Sequence, residues 1–251
     1  ATYPYDGEAH TIKSAEVAYN SGNLDAKYVK QITDNHLVSV GEMQYATAID
    51  GTYTSTMPTF KNAGTYDVYC RTTVQVGSTS KILTTKATVT ITPRPVTVTV
   101  TGNTATKTYT GTEQSVKGYT VTTEDSLYKV DSMLTKPAQT DAVAKGTEAS
   151  ATAYQMGLTV SQFSNTNNNF TVTVTVTDGW LKISAKSITD NGMTVTPPSD
   201  VVYNGESQQQ KPTVKDGNKE LTEGTDYTLS YSEDTTNVGE VTVTVTGKGN
   251  Y

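Results

Sequence analysis

Valine and threonine alternate along several stretches of this chain. In Val96-Thr97-Val98-Thr99-Val100, in residues 171–177 and in residues 241–246, valines occupy one set of positions and threonines the other. A period of two is that of a β-strand, whose successive side chains point to opposite faces. Such clean alternation predicts antiparallel sheets with one packed face and one solvated face. Residues 65–76, 81–91 and 193–196 read as further strands, and residues 170–183 as one long returning strand. Polar clusters separate them as turns: Gly77-Ser78-Thr79-Ser80, Asn165-Thr166-Asn167-Asn168-Asn169, Asp216-Gly217-Asn218 and Gly247-Lys248-Gly249-Asn250. Helical periodicity is scarce. Residues 24–32 read as a short helix and residues 158–163 as a single turn.

The strands sit within a repeat. Tyr5-Asp6-Gly7, Tyr109-Thr110-Gly111 and Tyr203-Asn204-Gly205 each open a polar stretch that runs to an inner glycine, taken as Gly64, Gly157 and Gly239, and then to a strand. Self-similarity of this kind marks an array of one structural unit. The middle residue and glycine of each Tyr-x-Gly suit a tight turn that needs positive φ, and the tyrosines read as structural anchors beside it. Three modules are expected: residues 1–93 with an insert around 15–57, residues 94–185, and residues 186–251. The junctions, Ile91-Thr92-Pro93-Arg94-Pro95-Val96 and Ile183-Ser184-Ala185-Lys186, are short, and the first is stiffened by prolines that cannot donate to a sheet. A semi-rigid, monomeric rod follows. Aligned strand by strand, the third module stops before its returning strand, and the first lacks the strand that precedes Tyr-x-Gly in the others. The expectation is a window on a longer array, with an unpaired edge in the third module open to pairing with another chain.

Composition narrows the class. About 50 residues are threonine, whose branched side chain favours strands while its hydroxyl tolerates water. Thin sheets with one wet face suit that composition better than a large enzyme core. Sixteen tyrosines and the valine alternation argue against disorder. A net charge of -6 disfavours nucleic acid, which recruits clustered Lys and Arg. No apolar run approaches the roughly 18 residues of a membrane span. Cys70 is the single cysteine, so no internal disulfide can form, and its strand context predicts a buried, inert thiol.

Candidate chemistry is sparse. A serine-type triad needs a histidine held between an acid and a nucleophile, and the two histidines, His10 and His36, both lie in polar, turn-rich contexts. Surface roles are expected for both, and two histidines with one cysteine make a poor zinc set. Paired carboxylates can cleave glycosidic bonds, and Glu124-Asp125 and Glu233-Asp234 are candidates, but their loop contexts predict solvated turns. Glu233, Asp234 and Asn237 supply oxygens without the spacing of a calcium loop. Trp180 could stack on a sugar, though packing across a sheet is the expectation. A cross-strand covalent bond, Lys to Asn or Thr to Gln, fits the composition without any pair standing out. The sequence therefore nominates no catalytic residue, no cofactor and no metal site, and the chain reads as a non-enzyme.

Tyr109-Thr110-Gly111-Thr112-Glu113-Gln114, Tyr203-Asn204-Gly205-Glu206-Ser207-Gln208, Asn62-Ala63-Gly64-Thr65-Tyr66, Asp178-Gly179-Trp180-Leu181-Lys182-Ile183 and the tail from Val241 to Gly247-Lys248-Gly249-Asn250-Tyr251 share one pattern. In it the chain resembles the tandem β modules, MBG-type and Ig-like, of large bacterial cell-surface proteins of the adhesin kind. The resemblance implies an all-β fold of Ig-like sandwich modules in a rod, with β-grasp-like modules carrying one short helix each as the alternative. It implies an extracellular location on the bacterial surface or wall, and no catalytic residues. The expected role is a stalk or spacer. The rivals are a module binding a host or dietary glycan or an extracellular protein, with the insert at 15–57 as its site, and an accessory region of a surface carbohydrate-active enzyme.

Overall fold

The computed structural model describes residues 1–17, 35 and 37–251; the helix expected over residues 24–32, and His36, lie outside the described residues. The chain is all-β, and among the described residues the α-helix is the single turn Val130–Met133. Two compact units are formed. One comprises Ala1–Val98, Thr123–Thr135 and Ser164–Val174, the other Thr99–Thr122, Lys136–Phe163 and Thr175–Tyr251.

The first unit is built on the antiparallel hairpin of Gly64–Val76 and Thr79–Thr92, in register from Gly64 opposite Ile91 to Val76 opposite Thr79. Thr2–Pro4 lies parallel along the free edge of Thr79–Thr92, pairing Tyr3 with Ile91. Two strands from the 15–57 insert, Val38–Val40 and Gln44–Ala46, cover the edge of Gly64–Val76. The core is Val68, Cys70, Val89 and Ile91, sent to one side of the hairpin by the strand period of two, with Ile12 joining them from outside the strands.

In the second unit Trp180–Ser184 is the central strand of three. Thr104–Thr108 pairs with it in parallel and Tyr154–Gln155 antiparallel. Leu181 and Ile183 are fully buried, with Ala144, Val214, Tyr109, Tyr227 and Tyr251 around them. Met193–Thr196 pairs with Thr213–Asp216, and Tyr227–Tyr231 with Val243–Gly247.

The strand Arg94–Gly102 shows the predicted alternation most clearly. Val96, Val98 and Val100 are buried and the threonines between them exposed. Phe170–Thr177 and Tyr119–Thr122 flank it.

Three expectations change. Residues 170–183 are two strands, because Asp178 and Gly179 break the run. The Asp178 carboxylate accepts the N–H groups of Gly157 (2.9 Å), Leu158 (2.8 Å) and Gly179 (2.9 Å). A Cβ at Gly179 would stand 2.6 Å from the Asn103 carbonyl oxygen, so only glycine lets the strand pass there. The single turn expected over residues 158–163 is present as the 3₁₀ turn Val160–Gln162, closed by a capping box between Thr159 and Gln162, and it stands where the repeat alignment placed a strand after Gly157. Finally, the position matching Gly64 in the second repeat is Ser150 and not Gly157. Gly64 pairs with Ile91, and Ser150 donates its N–H to Ile183, which holds the same place on its own strand.

Candidate functional site

The repeated motifs converge on a contact set that is made twice. Each Tyr-x-Gly is a tight turn with its glycine in the left-handed region: φ is +83° at Gly7, +77° at Gly111 and +82° at Gly205. The residue between is tied to the turn. Asp6 accepts the Glu8 N–H and Asn204 accepts the Glu206 N–H, both at 2.9 Å. The following glutamine explains itself as well. The side-chain amide of Gln114 donates to the Thr108 carbonyl, and that of Gln208 to the Val202 carbonyl, again at 2.9 Å, just before the tyrosine.

The tyrosine then receives an aromatic residue from the Asn-containing turn of the following repeat. Tyr5 packs edge-on against Phe170, with centroids 5.2 Å apart, and Tyr109 packs edge-on against Tyr251 at 5.5 Å. The preceding asparagine bridges to the inner loop. Asn169 accepts the Ala63 N–H at 2.7 Å and donates to the Asn62 side chain at 3.1 Å. Asn250 accepts the Ala149 N–H at 2.8 Å and donates to the Glu148 carboxylate. Asparagine suits this place because one amide offers both an acceptor and donors, and because it is at home in turns.

Each clasp is finished at the junction. The Asn169 carbonyl accepts the Arg94 N–H and the Asn250 carbonyl accepts the Lys186 N–H, both at 2.9 Å. Arg94 pairs with Asp125, and Lys186 with Asp216. Burial works against ionisation of Asp125, yet the Arg94 guanidinium and the Leu127 N–H hold its carboxyl below the usual range. At Tyr251 burial pushes the phenol up, opposed by Lys219, whose ammonium lies over the ring at 5.6 Å. The lysine beside an aspartate in the second clasp gives no support to a covalent cross-link. The equivalent cation in the first is an arginine, so what the pairs share is charge.

The residues weighed for chemistry fall elsewhere. His10 stacks on Tyr3 (centroids 4.3 Å apart), bonds Asp6 at 2.8 Å, and exchanges backbone hydrogen bonds with Phe60. That is an isolated antiparallel bridge between two segments outside the named strands. Cys70 is buried, and burial raises its thiol pKa, which keeps the thiolate scarce. Glu124 is exposed, and Asp125 is paired with Arg94 in the clasp. Asp234 spends its carboxylate on its own turn, accepting from the Thr236 and Asn237 N–H groups and from the Asn237 amide at 2.9–3.0 Å. Among the described residues no three His, Cys, Asp or Glu side chains gather as a metal set. Trp180 is half-buried in the central strand. The asparagines of the clasp were visible in the sequence only as turn residues. No family model, curated protein or solved structure matches the chain.

Proposed function

We propose that the chain is a non-catalytic stalk or spacer of an extracellular bacterial surface protein, made of three β modules, residues 1–93, 94–185 and 186–251, with Ig-like sandwich order. The observation that carries this reading is the parallel pairing of the strands that lead into and out of a repeat. Thr2–Pro4 runs parallel to Thr90–Thr92, and Thr104–Thr108 parallel to Trp180–Ser184. Tension applied along the chain pulls the partners of such a pair in opposite directions along their length. All the hydrogen bonds of the ladder are then loaded together in shear and do not open one at a time. The clasps continue the same logic, because each ties a turn to the preceding repeat through its asparagine side chain, which accepts the Ala63 or Ala149 N–H. Threonine-rich outer faces keep such an array solvated.

A spacer holds other parts apart and needs no ligand of its own. The full chain, tested against glycan arrays, mucin and extracellular-matrix proteins, is expected to give no saturable binding. Saturable binding competed by free ligand would replace the stalk by an adhesin module.

A further inference from the structure

In the first two repeats one strand fills the same place. Its second apolar residue, Ile91 or Ile183, lies opposite the residue two before the motif tyrosine on one side, Tyr3 or Lys107. On the other side it meets the inner-loop position, Gly64 or Ser150. Its first apolar residue, Val89 or Leu181, faces Tyr66 or Tyr154. In the third repeat the corresponding positions are Val201 and Gly239 for the second apolar residue, and Ser199 and Val241 for the first.

All four of these residues line one open groove of about 860 Å³, floored by Val195, Val243 and Val245. Val195 is 44 % and Val201 49 % exposed, whereas Val100, on the strand before the second motif tyrosine, is fully buried. Tyr203 and Val238, the counterparts of the clasped Tyr109 and Ala149, stand 56 % and 86 % exposed at its edge. Pro197 and Pro198 have no N–H to donate, which starts any ladder at Ser199.

We infer that this groove is a strand-acceptor site. Its occupant is an extended segment of the repeat's own returning type, apolar at alternate positions like Leu181 and Ile183. It enters parallel to residues 199–202 and antiparallel to residues 239–243, with its second apolar side chain between Val201 and Gly239. Main-chain bonds would give affinity and the apolar alternation would set the register. The inference stands on the groove and its two filled counterparts, and is independent of where the protein is displayed.

The probe is a synthetic peptide of residues 178–186 added to the full chain and followed by hydrogen exchange. Saturable binding is expected, with amides of residues 199–202 and 239–243 slowed about tenfold or more. Val201→Lys and Val195→Lys, at exposed positions the fold tolerates, should weaken binding by about tenfold. Val160→Lys, exposed elsewhere, should leave it unchanged, and the peptide with Leu181→Pro should not bind. Absence of saturable binding, protection at other segments, or indifference to the two groove variants would overturn the assignment. So would concentration-dependent dimers in which the same amides are protected without peptide, since a second copy would then be the occupant.

Discussion

If the clasp holds one repeat to the next, its two asparagines should be worth similar amounts. Asn169→Ala removes the acceptor of the Ala63 N–H, bonded at 2.7 Å, and the donor to Asn62. A buried N–H left without a partner costs about 1–3 kcal/mol; Asn169 is half-buried, water reaches part of the site, and about 1–2 kcal/mol is expected. Asn250→Ala removes the same bond to Ala149, at 2.8 Å, and the same magnitude follows. Aspartate separates the two. In Asn169→Asp the acceptor is kept and the Asn62 amide can turn its donors toward it, so most of the loss is recovered. In Asn250→Asp a carboxylate faces the Glu148 carboxylate, the loss persists, and Glu148→Gln relieves it. A chain of several repeats need not unfold in one step, so native-state hydrogen exchange at the amides of Ala63 and Ala149 is the appropriate assay. Each alanine should lower the opening free energy at its own amide, with the double variant additive to within about 0.5 kcal/mol. Losses below about 0.3 kcal/mol, or identical behaviour of the two aspartate variants, would show that the asparagines do not clasp the repeats.

Gly111→Ala places a side chain at φ +77° and should cost about 1–2 kcal/mol in thermal or urea unfolding; a neutral result would show that the turn relaxes. Asp125 is held below its ordinary carboxyl range, so its contribution is complete above the unfolded value of about 3.9 and is lost as pH falls through the lowered folded value. Asp125→Asn should flatten that part of the acid titration, and an unchanged acid limb would exclude Asp125 from the acid response. Cys70, buried with a raised pKa, should resist iodoacetamide in the native protein and react freely in urea; rapid native alkylation would contradict its burial.

Much of the sheet structure was legible because local chemistry and final environment agree. In Arg94–Gly102 and Phe170–Thr177 each valine is more buried than the threonines beside it, so burial follows the written pattern. The Tyr-x-Gly turns were legible for a similar reason, since positive φ is a local demand on one residue. The clasp was not. Asn169 and Ala63 are separated by 106 positions and Asn250 and Ala149 by 101, and nothing local distinguishes a bridging asparagine from a solvated one. Alignment on glycines also misled at Gly157. Ser150 fills the place of Gly64, and four positions separate it from Tyr154 where two separate Gly64 from Tyr66, although both tyrosines donate to the equivalent carbonyl, Glu148 or Asn62, at 2.9 Å. The two extra residues between Ser150 and Tyr154 leave these bonds unchanged.

The stalk reading is tested most directly by pulling the full chain between Ala1 and Tyr251 in single-molecule force spectroscopy. Strands paired in parallel shear predict discrete unfolding events at well-defined forces, reduced in Leu181→Ala, which hollows out the central strand of the Thr104–Thr108 ladder. Smooth extension without force peaks, as from a flexible linker, would contradict it.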